Sequence, residues 1–529
     1  MPESPASLFR QNAERSPDKP AFIHPGRGGW QVVTYRQLSG HSALLTRGLT
    51  ALGIRPGTRV AVMVPAGVDL FALVFAMLQA GVVPVIVDPA IGLRKVGMCL
   101  AEAQPEVYIG SALAHGLRRL YGWGRDSLRM NLTVAALARA GGAIREVPLV
   151  DRAPGDAAAV IYTSGSTGLP KGAIYTHANF SAQVGILTHT LQLTGDEIDL
   201  PAFPLFALID CLLGVTAVIP DMRFPPPAKV NPARMTEAIQ KHGVNSLFVS
   251  PAALERLARY GAERNLRFNG LERVITAGAP APADVLERFE GLLPSEAKFL
   301  GVYGATEALP ISAVDSREIV RETRQRTAQG AGICIGRAVQ GMQVGIIPIV
   351  DGPVAEAQWL TTGQVGEITV RGAAVTGKYV GREELNRLAK IPAADGSVTH
   401  RTGDVGYFDE QGRLWYCGRK SHRLRLAGQT LFTECVEGVF NAHPLVHRTA
   451  LVGVEKAGGT EPVLWVELKR SARRADPDRV RAELLALAKV HEAASRIQTI
   501  LFHPAFPTDV RHNSKIIRER LAELARRET

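Results

Sequence analysis

Apolar runs of two lengths alternate through the first half of the chain. Residues 58–66 (TRVAVMVPA) and 82–88 (VVPVIVD) are short and almost wholly apolar, as strands covered on both faces should be, and a helix-like segment from Asp69 to Ala80 lies between them. This spacing predicts a β-α-β unit. The pattern recurs at VNSLFVS (244–250) before PAALERLARYGAERN, and at LERVITAG (271–278) before APADVLERFEGLL. Alternation of this kind predicts an α/β fold with doubly wound, mostly parallel sheets. From about Gly366 the texture shifts to short strand-like pieces, GEITVRG and GRLWYCGR, punctuated by the Asp-Glu-Gln-Gly turn signal at 409–412, so a small β-rich portion closes the large region. A basic segment, GRKSHRLRLAG, follows Gly418. Beyond it a helix-strand-strand-helix pattern leads to a C-terminal helix predicted to start near Ser514. The boundary is placed at Lys420 to Ser421, giving a large domain over 1–420 and a small α+β domain over 421–529.

The chain of 529 residues is 46% hydrophobic and 21% charged, which fits a globular protein of two or more domains. Its longest apolar stretch, Phe71 to Val87, is broken by Gln79, Gly81 and Pro84, so a core helix followed by a strand is expected in place of a membrane span. The N-terminal segment lacks the basic start and apolar centre of a signal peptide, and a cytoplasmic location is expected. Cys99, Cys211, Cys334, Cys417 and Cys435 show no metal-ligand spacing and are read as reduced structural thiols. The net charge of +11 suits nucleotides or membrane headgroups, so peripheral membrane contact is compatible with it. The basic residues are spread out and no nucleic-acid motif accompanies them, so no nucleic-acid partner is expected.

The stretch Val160 to Gly172, VIYTSGSTGLPKG, carries the chemistry most plainly. An apolar strand runs into small and hydroxyl residues and then a lysine. Small residues let backbone N–H groups crowd a phosphate chain, and hydroxyls add donors. Pro170 before Lys171 and Gly172 after it separate this loop from a Walker A loop. The bland alternative, a flexible linker, fits poorly with strand-like flanks.

This stretch resembles the signature of the acyl-adenylate-forming (AMP-dependent synthetase/ligase) superfamily. Further similar motifs follow in order: AGAP at 277–280, YGATE at 303–307, GEITVRG at 366–372, RTGDVG at 401–406, GRK at 418–420, and Lys515. The resemblance implies a large N-terminal adenylation domain and a mobile C-terminal lid, with ATP and Mg²⁺ as cofactors. Thr163, Ser164, Gly165, Ser166, Thr167, Gly168 and Lys171 would hold the β- and γ-phosphates. Gly278, Ala279, Pro280, Tyr303 and Gly304 would form the adenine slot, and Ala305 after them would also belong to the nucleotide-binding set. Thr306 would contact the α-phosphate, Glu307 would hold Mg²⁺, and Asp404 with Arg419 would take the ribose. Lys515 would close over the carboxylate and α-phosphate, offsetting the charge that builds as two anions meet. Thr163, Lys171, Glu307 and Lys515 are thus the expected catalytic set.

The chain also departs from the common acyl-CoA synthetase pattern. Ala207 follows PLF where many thioester-forming members carry His, Ser421 stands at the hinge, and Ser514 precedes the lysine where Gly is usual. YGATEALPIS, WYCGRKSHRL and LFTECVEGVFNAHPLVHRTALVG resemble the β-lactone synthetases of bacterial long-chain olefin biosynthesis. That likeness implies a 2-alkyl-3-hydroxy fatty acid as substrate, adenylated and then closed by its own 3-hydroxyl, and it implies partnership with other olefin-pathway enzymes. The segments at 207–220 and 246–254 offer apolar lining, although core elements would read the same. The base for ring closure stays open; His177 and His422 are candidates by residue type. A long-chain acyl-CoA synthetase, an acyl-AMP ligase and a nonenzymatic nucleotide-binding scaffold remain as alternatives.

Overall fold

The computed structural model describes residues 4–143, 150–163, 170–220, 230–508 and 515–529. Two large α/β sheets form its centre. One has the strand order Met130–Leu132, Val107–Gly110, Arg59–Met63, Val83–Ile86, Ala157–Thr163 and Lys171–Thr176. All its neighbours are parallel except the last pair, an antiparallel hairpin. The predicted β-α-β unit is present: Arg59 pairs with Val83 across parallel strands, and the helix Val68–Gln79 connects them. Leu70 through Leu78 of that helix are all buried, because a helix apolar on every side finds its place only in an interior.

The second sheet runs parallel from Lys298–Ala305 through Arg273–Ala277, Ser246–Val249, Ile198–Pro201 and Thr216–Val218 to Pro20–Gly26, with antiparallel strands at both edges. The helices Pro251–Glu263 and Ala283–Glu290 follow their strands as the alternation requires. Ser250 accepts from the backbone N–H of Ala253 and starts the first of these, with Pro251 at the first helical position. Parallel strands place their C-terminal ends on one edge of a sheet, and that edge is where ligands settle in open α/β folds.

The β-rich portion is an antiparallel sheet containing Met342–Ile347, Gly366–Gly372, Val398–Phe408 and Leu414–Arg419. Its turn at 409–412 is held by Asp409, whose carboxylate accepts from Arg413 Nε at 2.8 Å and from Trp415 Nε1 at 2.9 Å. A 3₁₀ turn at Lys420–His422 follows. Beyond it come the helix Thr433–Asn441, the hairpin Val446–Lys456 with Gly459–Leu468, and the helix Pro477–Val490.

Two features after Lys420–Ser421 differ from the sequence-based expectation. The basic segment after Gly418 runs into a small hairpin, Leu424–Leu426 with Gln429–Leu431. The last helix spans Arg518–Glu528 and does not begin near Ser514. Ile516 is tied instead into an antiparallel bridge with Thr508, so Lys515 sits at a bend ahead of the helix.

Candidate active site

A cavity of about 1050 Å³ lies between the two sheets and the β-rich portion. Its polar end is lined by Lys171, Ala277, Gly278, Gly304, Ala305, Thr306, Glu307, Thr402, Gly403, Arg419 and Lys515. Residues far apart in sequence therefore converge on one space.

Lys171 opens the strand Lys171–Thr176, and the hairpin brings it opposite Thr163. Gly172 is required here because a Cβ would stand 2.7 Å from the Tyr162 ring and from Val380. Arg382 braces the same corner: it donates to the Pro170 carbonyl at 3.3 Å and pairs with Glu102, to which Tyr162 also donates at 3.2 Å. Ser164, Gly165, Ser166, Thr167 and Gly168 lie outside the described residues, as does the side chain of Thr163.

Glu307 is buried at the end of the strand-turn formed by YGATE. Burial alone would raise its pKa, but His400, the Tyr379 hydroxyl and Lys390 outweigh it and hold the carboxyl below its ordinary value. Tyr379 donates to its Oε1 at 2.7 Å. Lys171 and Lys390 lie 5.6 and 5.4 Å from the centre of the Tyr379 ring, within cation–π range. Burial pushes Lys390 down to about 8, with Lys171 adding to the effect and Glu307 opposing it. Burial likewise takes His400 down to about 3. Its Nδ1 lies 3.1 Å from the Ala389 carbonyl, which can only accept, so that nitrogen carries the proton. Lys171 is also lowered, by burial first and then by Arg419 and Arg382, against Glu307.

Tyr303 and Asp404 adjoin the lining residues Gly304 and Gly403 without lining the cavity themselves; Tyr303 donates to Asp404 Oδ2 at 2.6 Å, and Arg419, which does line it, stands 3.1 Å from Oδ1. The arginine contact is an ion pair whose angle makes no hydrogen bond, so buried Oδ1 keeps an acceptor lobe for a hydroxyl donor. Burial raises the Asp404 pKa, and Arg419, the Tyr303 hydroxyl and Lys515 work against that rise. Lys515 thus reaches the same charge cluster from the C-terminal part. Gly278 has φ +96°, a left-handed backbone that suits glycine, and it lines the cavity. Ala279 and Pro280 follow outside the cavity wall.

The other end of the cavity is apolar. Phe180, Val184, Leu208, Ile209, Leu212, Phe248 and Ala253 line it near the polar groups, so both apolar segments singled out in the sequence contribute. His177 and His422 do not line it. His177 is buried with neither ring nitrogen hydrogen-bonded, and His422 packs 3.7 Å from Glu519 with its pKa lowered to about 4 by burial, Arg518 and Arg419.

The sequence did not single out Tyr379, Arg382, Lys390 or His400. The one available signal was the placement of His400 and Arg401 directly before the TGD motif. Arg401 also borders the cavity and makes a 2.6 Å ion pair with Glu367, which Lys420 meets at 2.9 Å.

Residues 9–380 match the family model described as AMP-binding enzyme. The chain belongs to the AMP-binding enzyme family. This AMP-binding enzyme is 44% identical to the olefin beta-lactone synthetase of Stenotrophomonas maltophilia (strain K279a), over 98% of this chain and 97% of that protein. It is 42% identical to the olefin beta-lactone synthetase of Xanthomonas campestris pv. campestris, over 98% and 96%. It superposes on ATP-bound MatB from Rhodopseudomonas palustris with a TM-score of 0.81 and 20% identity, covering 98% of this chain and 99% of that one. That likeness shows the adenylate-forming fold. The AMP-binding enzyme is accordingly a ligase-type, AMP-forming catalyst, and the sequence-based recognition of its family holds.

Proposed function

We propose that this enzyme adenylates a long-chain 2-alkyl-3-hydroxy fatty acid and releases it as a β-lactone, within olefin biosynthesis. The observation that carries the reading is the convergence of Lys171, Glu307 and Lys515 on one cavity whose far wall is apolar. A 44% identical relative named olefin beta-lactone synthetase supports the choice of product.

ATP would lie with its adenine against Gly278, Gly304 and Ala305 and its ribose hydroxyls donating to Asp404. Mg²⁺ fits Glu307, because one ionised carboxylate suffices for a hard cation otherwise held by phosphate oxygens and water, and when bound it would neutralise phosphate charge. Lys171 would face the departing phosphates. Lys515 would screen the substrate carboxylate from the α-phosphate it attacks, so that the two anions meet at lower cost. The carboxylate oxygen bonds to the α-phosphorus and pyrophosphate leaves. The 3-hydroxyl oxygen then bonds to the acyl carbon, its proton departs, and the bond to AMP breaks. Nucleophile and electrophile share one molecule, so holding the chain folded supplies several kcal/mol of the barrier.

Three further elements belong to this reading. Lys420–Ser421 would be the hinge between domains 1–420 and 421–529, with Glu367 anchoring its large-domain side. The enzyme would work in the cytoplasm, alongside other olefin-pathway enzymes. Ala207, buried where many thioester-forming members carry His, suits a reaction without a thiol acceptor.

Product analysis tests the reading. Purified enzyme with ATP, Mg²⁺ and a long-chain 2-alkyl-3-hydroxy acid should yield β-lactone and AMP in the absence of CoA. A strict requirement for CoA before AMP appears would assign it to the acyl-CoA synthetases instead.

A further inference from the structure

The cavity has a further apolar branch. From the polar groups its wall continues past Met63, Val87 and Leu93 to the helix Ala112–Tyr121, where it includes Leu113 and Leu117 and meets Trp123. Leu113 lines the cavity and is nevertheless 75% exposed, so the cavity reaches solvent beside this helix.

The surface around that opening is unusual. No residue of the helix is buried. Leu120, two turns after Leu113 and on the same face, is 77% exposed, and Tyr121 is exposed beside it. Met98 on the adjoining helix Leu93–Ala103 is exposed as well. Among the described residues, four of the nine large exposed hydrophobics gather here, where scattered single ones would need no explanation. Arg94, Lys95, Arg119 and Arg125 are exposed on the same two helices and the turn after them. Of the nearby acids, Glu102 is engaged by Arg382 and Glu106 by Arg129, and Asp126 is exposed beside Arg125, so the cations still outnumber the free acids.

We propose that this face docks on an anionic lipid surface, with Leu113, Leu120 and Tyr121 entering the headgroup layer and the basic residues meeting lipid phosphates. The cavity's outer end is then the port through which a long-chain acid passes from the bilayer, a consequence that rests on the long-chain reading above. An apolar stripe bordered by cations is the pattern of an interfacial helix. A second copy of the chain is the poorer occupant, since an isologous contact would set the same arginines against each other. No helix among the described residues is long and apolar enough to span the bilayer, so the attachment would be peripheral.

The test separates docking from catalysis. Full-length protein without ATP or acid is sedimented with phosphatidylcholine vesicles, with and without phosphatidylglycerol. Binding is expected to the anionic vesicles and to weaken with salt. Leu120→Glu should weaken it about tenfold, and Arg119→Glu should weaken it on anionic vesicles alone. Both variants should keep the wild-type melting temperature and ATP-dependent pyrophosphate release from detergent-dispersed acid, and lose rate when the acid is supplied within vesicles. Failure to sediment with anionic vesicles, or equal binding by Leu120→Glu, would overturn the proposal. A change in oligomeric mass of Leu120→Glu with vesicle binding intact would give this face to a protein partner and would overturn it equally. A failed lactone assay would leave the vesicle result standing.

Discussion

At Glu307, burial and charge pull in opposite directions, and charge wins. The carboxyl stays ionised in an interior because His400, the Tyr379 hydroxyl and Lys390 outweigh its burial. Glu307→Gln keeps the shape and removes the charge, so substrate-dependent pyrophosphate release should fall by about 10²-fold or more, with a raised Mg²⁺ requirement. Tyr379→Phe removes one hydrogen bond to that carboxylate and should cost about 1.5 kcal/mol, roughly tenfold in the same assay. Lys515→Ala should lower pyrophosphate release by about 10²-fold with the melting temperature unchanged. Release that persists at the wild-type rate would remove the lysine from the first half-reaction. The residues of these tests were not equally legible. Lys171, Glu307 and Lys515 stand in extended motifs whose spacing survives any fold. Tyr379, Lys390 and His400 matter only through tertiary proximity, and a lone lysine in LAKIP reads as a surface residue until the chain brings it beside a buried acid.

Among elements, the join between the β-rich sheet and the C-terminal part is built from buried charge. Glu367 accepts from Arg401 and Lys420 with almost no solvent access. Glu367→Gln leaves buried Arg401 and half-buried Lys420 short of a counter-charge and should destabilise the protein by about 3 kcal/mol, measured by urea unfolding. Across the join, Glu434 is raised to about 7 from an ordinary 4.5, first by burial and then by Glu437, with Asp404 adding and Arg518 opposing. A raised carboxyl favours its neutral form in the folded state. Its contribution is therefore complete below about pH 4.5 and is lost as pH rises through about 7. Glu434→Gln should flatten the pH dependence of the melting temperature across that window, and an unchanged profile would refute the assignment. Elements with a clear period were legible here: the buried strands, the helix Val68–Gln79 and the turn at 409–412. The start of the last helix was not, because the bridge from Thr508 to Ile516 overrides a helical sequence preference with a long-range pairing.

For the whole molecule, the alternation of strand and helix patterns was enough to give parallel sheets, since short buried strands separated by helices have few other ways to pack. Which strands neighbour one another was not legible; Ile198–Pro201 pairs with both Thr216–Val218 and Ser246–Val249, a choice made by packing. The shape of the cavity was equally hidden, because Leu113 and Leu208 belong to different sheets' coverings and meet the same space only after folding. One consequence of the shared wall concerns cohesion. Lys515 follows Lys420–Ser421, the proposed hinge, and Glu307 precedes it, yet both border one compartment. A nucleotide there would grip both parts at once, adding about 2.7 kcal/mol at a hundredfold excess over its Kd. Calorimetry should then show the two parts melting as a single unit with ATP and separately without it, which makes the reagent a rivet for the protein that consumes it.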